Sequence, residues 1–544
     1  MSVMYDVIIV GGGPVGLGLA LELGLRDVSC LLVERREEPQ RIPKGQNLTQ
    51  RTLEIFYFQG VAEDMRAASI KSQNSQIGDV TIYGDLTSPY WHAPPGREVV
   101  RPYYFQDNER LPQYRTEAVL RSKVATLPTV EARFGWIAES ISQTDADVSV
   151  SIANEEGRRE IVRAKYVVGC DGARSIVREQ SGIECVGTDF DQTMVLAVFR
   201  SKELSEYVQR FPLRSTYRIM HPDLKGFWQF FGRVEADDTW FFHAPLPPGM
   251  TKENFDFHAM LERATSLKLA CEFDYIGFWD LRVSVAETYQ VGRAFIAGDA
   301  AHSHPPYGGF GVNNGLEDAV NLGWKLAAAL QGWAGEALLQ SYGTERRPII
   351  EEVAEAFIAA RIVEDRKFLD RYNPALDQKQ FEAAWERFKE KSPANAFVYE
   401  PNYEGSPIVA GPAGGVSSAR GMHAFAARAG HHLAPQPLSS GRNVFEELDR
   451  GFALLAFDVE PEIVESFRNA ASALNVPLKV ICDTYTGKRE DYAARLIVVR
   501  PDQYVAWAGD RAPDDIGGLF KTAVGAVGSR LSHPSTERSS AKII

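Results

Sequence analysis

The chain has 544 residues, 44% hydrophobic and 24% charged, the composition of a globular protein with apolar material for several domains. A net charge of −13 argues against a nucleic-acid surface, and no basic run suits an anionic membrane. Five scattered cysteines without a C-x-x-C pair indicate neither a disulfide framework nor a zinc site, and no apolar stretch approaches the roughly 20 residues of a membrane span, so a reducing cytoplasm is expected.

Met1 to Val10 lacks the cationic start of a signal peptide; from Tyr5 it is a β-branched strand that runs into Gly11-Gly12-Gly13-Pro14-Val15-Gly16. Leu17 to Leu25 has helical apolar spacing, and a second strand, Ser29 to Val33, ends at Glu34 and Arg35. Strand, G-x-G-x-x-G, helix, strand and acid is the order of a dinucleotide-binding βαβ unit. Gly11 permits the tight turn, Gly13 admits a pyrophosphate to the backbone, and Gly16 lets the helix pack on the strand. A carboxylate at Glu34 suits the unmodified ribose of FAD or NAD and disfavours a 2′-phosphate. The polar loop 41–54 offers Gln46 and Asn47 as pocket groups, and Arg51 either as a pyrophosphate partner or as an ordinary arginine at a helix start.

Residues 70–112, rich in Pro, Gly and aromatics, read as an excursion from the first domain. A helix follows at Gln113 to Leu127, then strands at Phe134 to Ile141 and Val148 to Ile152, and a strand that ends in Asp171-Gly172 before a helix. Asp171 is placed to cap that helix or to reach a nucleotide. From Val186 to Val283 aromatic strands alternate, with Met194 to Phe199, Tyr217 to Met220, Gly226 to Val234 and Thr239 to Leu246 the clearest. They predict a mostly antiparallel sheet able to wall an apolar pocket. Arg293 to Ala297 is a buried strand, and Gly298 to Asn313 is a glycine-dense crossover that carries Asp299 at its start and feeds a helix from Leu316 to Leu330. Helical sequence continues to Lys391.

The resulting division is a first domain in two parts, 1–185 and 284–392, an inserted sheet domain at 186–283, a Pro/Gly/Ser-rich linker at 393–420, a small α/β domain at 421–528, and a polar tail at 529–544 expected to be disordered. The fold class is therefore α/β and α+β, a Rossmann-like nucleotide domain with an antiparallel insertion.

Three motifs in order, Gly11-x-Gly13-x-x-Gly16 with Glu34, Asp171-Gly172 with Arg174, Ser175 and Arg178, and Gly298-Asp299 with Pro305-Pro306, Gly308-Gly309, Gly311 and Asn313, make the chain resemble the single-component FAD-dependent aromatic hydroxylases over nearly its whole length. The resemblance implies that Gly11, Gly13, Pro14, Val15, Gly16, Glu34 and Arg35 hold the ADP half of FAD, where Arg51 is offered on its own chemistry, that Asp171 lies near the pyrophosphate, and that Asp299 binds the ribityl chain. It also implies that Gly309, Gly311, Val312 and Asn313 run beside the isoalloxazine ring, that Gln113 contacts it, and that the Pro306 carbonyl faces the substrate hydroxyl. The last domain resembles the thioredoxin-like domain of the phenol hydroxylase branch, with Val499 to Trp507 matching its terminal strand; without C-x-x-C it is assigned to packing or subunit contact.

The implied reaction reduces FAD with NAD(P)H, captures O₂ as a flavin C4a-hydroperoxide, and hydroxylates a phenolic or hydroxy-heteroaromatic ring. A base should deprotonate the substrate hydroxyl. Tyr217 and His221 stand as catalytic candidates, with Gln229 and His243 also on the sheet. The phenol hydroxylase acid has only Gln46 near its position. His302 is structural by the same resemblance, and neither it nor His304 has the partners of a metal site. The expected partners are a small aromatic substrate and O₂, with a homodimer allowed and no nucleic acid or membrane. The rival readings are a non-catalytic flavin-bound sensor and a flavoprotein acting on a larger polyketide ring.

Overall fold

The β-branched run at the start of the chain becomes the middle of a parallel sheet. Met4–Val10 lies between Cys30–Glu34 and Arg159–Gly169, with Ala294–Ile296 parallel beyond the latter. Val7, Ile8 and Ile9 are fully buried, as a strand covered on both faces requires. One cover is the helix Pro14–Gly24, entered through a proline in its first turn, and the long helix Phe310–Gln331 packs on that helix. The computed structural model describes residues 4–69, 77–235, 238–247, 249–251, 254–390 and 395–526; the polar tail expected from Ser529 lies outside them.

The register sets up the site. Val10 is paired with Gly169, and Gly169 with Ile296. All three strands run the same way, so the turns after Val10, Gly169 and Ile296 leave the sheet at one edge, its carboxyl end. Asp171 and Asp299 are thereby brought beside the first glycine turn, although long stretches of sequence separate them.

A second sheet has the spatial order His302–Ser303, Glu272–Ala286, Cys185–Arg200, Thr239–Pro245, Gln229–Arg233, Thr216–Met220, Asp79–Tyr83, Trp91–His92. It is antiparallel except where Thr216–Met220 runs parallel to Asp79–Tyr83, which is where the excursion after the first domain goes. Alternation sorts its aromatics. Tyr217, Phe231 and Phe242 face a core with Trp240 and the helix Phe257–Thr265, whereas Phe230, Phe241 and His243 face the other way. His302–Ser303 pairs with this sheet just after Gly298 leaves the first, so the crossover is stitched between the two.

The helix predicted from Leu316 begins at Phe310. Gly309, at φ +71°, takes the left-handed cap, and the Gly and Asn residues that follow hide the apolar period of the first turn. The stretch expected to be a linker is instead pinned. Tyr399–Asn402 pairs with Ser418–Arg420, Glu352 accepts from Ser418 Oγ and Ala419 N at 2.6 and 2.8 Å, and Tyr403 is fully buried. The last domain is a sheet of order Leu478–Asp483, Phe452–Phe457, Leu496–Val499, Val505–Gly509, flanked by the helix Pro461–Ser472. Among the described residues no helix is long and apolar enough to cross a membrane.

Candidate active site

The carboxyl edge of the first sheet opens into a cavity of about 790 Å³, lined at one end by Gly11, Gly13, Pro14, Val15, Glu34 and Arg35 and elsewhere by Asp171, Asp299, Gly309, Gly311 and Val312. The glycines show why the turn has this composition. Gly11 sits at φ +107°, and a Cβ there would lie 2.3 Å from the Cys170 carbonyl oxygen. At Gly16 a Cβ would come within 1.9 Å of the Gly11 carbonyl oxygen, so Gly16 serves helix-to-strand packing and not the cavity wall. Gly13 differs, because its missing Cβ would meet no protein atom within 4 Å. What it keeps clear is the cavity itself, and a phosphate can reach the backbone there.

Glu34 is fixed by its neighbours. One carboxylate oxygen accepts from Gly12 N at 2.7 Å and the other from Arg36 N at 2.9 Å, which leaves lone pairs for the hydroxyls of a ribose. Asp171 caps the next helix by accepting from Ile176 N at 2.8 Å and also lines the cavity; burial raises its carboxyl above the usual range. Asp299 is exposed to the cavity, on a turn that Gly298 enters at φ +58° because a Cβ there would strike Val15. Beneath that turn, buried Asp318 accepts from Gly298 N at 3.0 Å, His302 Nε2 at 2.7 Å and Arg346 Nε at 2.7 Å. Against the opposing effect of burial, the hydrogen bonds and charge that His302 and Arg346 present hold the Asp318 carboxyl below its usual range. His302 is thus a brace for the loop.

The opposite wall belongs to the second sheet. Cross-strand register sets Arg218, Phe230 and His243 in one row and Thr216, Gly232 and Phe241 in the next, all on the cavity side. Phe230 stacks on His243 at 5.0 Å, and Trp228 stacks on Tyr307 at 4.5 Å between centroids. His243 is buried without a charged partner, which pulls its imidazole down to about 3 and keeps it neutral. Pro306 and His304, on the crossover itself, also line the cavity.

Besides Gly16, four of the expected site residues are placed away from the cavity. Tyr217 points into the core on the far face of its strand, and His221 lies beyond the strand end, beside Asp223; neither lines the cavity. Arg51 is buried against Glu317 at 2.8 Å, Gln503 at 2.9 Å and the Asp502 carbonyl at 2.7 Å, where it ties the first domain to the last. Asn313 is a clamp, accepting from Thr49 N at 3.0 Å and donating to the Asn47 and Gly309 carbonyls. Gln113 does line the cavity and donates to Glu117 at 2.8 Å. Sequence reasoning missed Arg36, Lys44, Arg110 and Arg121, which also line the cavity, since a single basic residue carries no periodic signal whatever element it stands on.

Comparison with known proteins supplies the wider setting. A family profile described as an FAD binding domain matches residues 4–356, and one described as the C-terminal part of aromatic-ring hydroxylases matches 426–527. The chain is 29% identical to the tetracenomycin A2 monooxygenase-dioxygenase of Streptomyces glaucescens, over 97% of each. It is also 29% identical to a 4-methyl-5-nitrocatechol 5-monooxygenase of Burkholderia sp, over 97% of this chain and 98% of the other. Further curated relatives, at 35% and 32% identity, match about two thirds of this chain, covering 65% and 70% of their own length. Among solved structures, aklavinone-11 hydroxylase in its complex with FAD and aklavinone superposes with a TM-score of 0.81 at 25% identity, covering 96% of this chain and all of that one.

Proposed function

The chain belongs to the FAD-dependent aromatic-ring monooxygenases, and from that premise we propose that it hydroxylates a phenolic or hydroxy-heteroaromatic ring with NAD(P)H and O₂. One observation carries the reading. The glycine turn, Asp299 and the aromatic face of the second sheet all line a single cavity. A site of that shape holds a dinucleotide at one end and a flat apolar ring at the other. The open space above Gly13 and the free carboxylate of Asp299 fit FAD.

When bound, FAD supplies electron storage and oxygen activation. The chain supplies placement and dryness. Backbone N–H groups of the 11–16 turn receive the pyrophosphate, Glu34 the ribose and Asp299 the sugar-alcohol hydroxyls. The start of the helix Phe310–Gln331, with Gly311 and Val312 on the cavity wall, brings the positive pole of its dipole to the flavin end. Trp228, Phe230 and Phe241 exclude water from the ring to be oxidised, where water would divert the oxidant. At this end Gln46 is an amide and His243 is held neutral, so neither is a strong proton acceptor.

Ring size follows from the relatives only as a range, from a nitrocatechol to polycyclic aromatics. A panel of both kinds, tested on FAD-loaded protein, decides it. Turnover is expected as NAD(P)H consumption that rises with the correct ring and gives a product heavier by one oxygen. Consumption that no ring raises, by protein that retains its flavin, would favour a non-catalytic flavin-binding protein.

A further inference from the structure

A buried guanidinium, that of Arg110, stands on the cavity wall at the substrate end without a carboxylate to balance it, and a second, that of Arg233, lies close by on the far side of the wall. Arg110 is 9% exposed and lines the cavity together with Gln46, Thr216 and Phe241. One of its amino groups donates to Gln46 Oε1 at 3.0 Å and to the Arg233 carbonyl, while its buried Nε has no partner. Arg233, 7% exposed, lies over the Trp240 ring at 4.6 Å, and its Nε is likewise buried and unpartnered. Among the described residues neither arginine makes an ion pair. The groups whose charge Arg110 feels are Arg233 and the Tyr217 hydroxyl; Asp238 acts on Arg233 and not on Arg110, and Asp79, a carboxylate on the cavity wall, accepts from Thr81 Oγ1. Burial and the like charge of Arg233 pull Arg110 down to about 10, so it remains a cation at neutral pH.

An uncompensated buried cation is costly and is kept where a ligand supplies the opposite charge. A guanidinium also offers its donors in a planar fork that matches a pair of oxygens or one strongly charged oxygen. We propose that Arg110 is a specificity-determining residue that receives an anionic oxygen of the aromatic substrate, a ring carboxylate or a phenolate, with Gln46 fixing its plane. This rests on the hydroxylase reading. It also gives that reading a route to an electron-rich ring that needs no strong base: a cation beside the phenolic oxygen favours its ionised form, the proton leaving to solvent before or during entry.

The test is a binding titration of the FAD-loaded enzyme, read as perturbation of the flavin absorbance, which does not depend on turnover. One arm compares 4-hydroxybenzoate with 4-hydroxybenzamide for the carboxylate; the other compares phenol with 4-nitrophenol across pH for the phenolate. Either the acid binds about 10- to 100-fold more tightly than the amide, or nitrophenol is bound as its anion, with the phenolate band present, at a pH where the free compound is neutral. R110Q abolishes whichever preference applies, and R110K retains part of it because charge survives without the fork. Flavin content reports whether R110Q folds; if it does not, R110K carries the test through its weakened preference. An acid-to-amide ratio near one with nitrophenol bound neutral overturns the proposal, and so do preferences that the variants leave unchanged. If neutral phenols then still drive NAD(P)H oxidation, hydroxylation stands without the anion subsite. If neither these probes nor the polycyclic members of the panel perturb the flavin or drive oxidation, the hydroxylase reading falls and takes the subsite with it.

Discussion

Gly13 and Gly16 look alike in the motif and do different things. Gly13→Ala places a methyl in open cavity, so the protein should keep its melting temperature and lose affinity for FAD. Gly16→Ala drives a methyl into the Gly11 carbonyl and should cost about 1–3 kcal/mol of stability, read as a lower midpoint in denaturant. Equal flavin loss with equal destabilisation in both variants would contradict this division. Arg51 is the converse lesson. Its sequence context suited a phosphate ligand, but its buried contacts are Glu317, Glu54 and residues of the last domain. Arg51→Ala should therefore destabilise the fold by about 3–5 kcal/mol, because it strands buried carboxylates, and should leave the FAD affinity of the folded fraction unchanged. A flavin titration beside a melting curve separates the two effects.

Strand parity decided what sequence left open about the second sheet. Both faces of Thr216–Met220 and Gln229–Arg233 are buried, so hydrophobic alternation does not say which face meets the cavity. Position 217 and its neighbours 216 and 218 read equally well, and only the packing of the helix Phe257–Thr265 over Tyr217 assigns the wall to Thr216 and Arg218. The pinned hairpin after residue 395 was illegible for another reason: its hold comes from single polar contacts that have no period. His423 is one of these. Its Nδ1 donates to the Phe397 carbonyl at 3.1 Å, so its Nε2 accepts from the Tyr104 hydroxyl at 3.1 Å, and burial brings the imidazole down to about 4. Between about pH 6.5 and 4 an unfolded chain binds a proton here that the folded chain does not, so stability is full above this window and falls as pH drops through it, by up to about 3 kcal/mol. His423→Gln should flatten the fall in melting temperature over that range, leaving the share that His243 contributes in the same direction; an unchanged slope would show that His423 is not a source of it.

At the scale of the whole molecule, the last domain is locked to the first by charge inside the protein. Arg500 donates to both Glu345 oxygens at 2.5 and 3.0 Å and to Asp502, Lys325 donates to Glu345 at 2.6 Å, and Trp324 Nε1 donates to Asp502 at 3.1 Å. The two cations hold the Glu345 carboxyl well below its usual range in spite of burial. Glu345→Gln leaves Arg500 and Lys325 under-compensated, and is expected to lower stability by about 3–5 kcal/mol and to split calorimetric unfolding into two transitions as the last domain separates; a single transition at an unchanged temperature would show that the cluster is not the lock.

The sequence by itself determined the kinds of element and a dinucleotide-binding first turn, because glycine spacing, β-branched runs and an acid at a strand end are local properties with local causes; that the nucleotide is a flavin came from the resemblance of three ordered motifs to a known family. Only the tertiary structure decided that Val10, Gly169 and Ile296 lie side by side, that Tyr217 turns away while Arg110 turns in, and that Arg51 spends its charge on a domain contact. Those outcomes depend on strand register, on which face of a doubly covered sheet packs first, and on where buried charges find partners across long stretches of chain. None of these leaves a periodic trace in a single sequence.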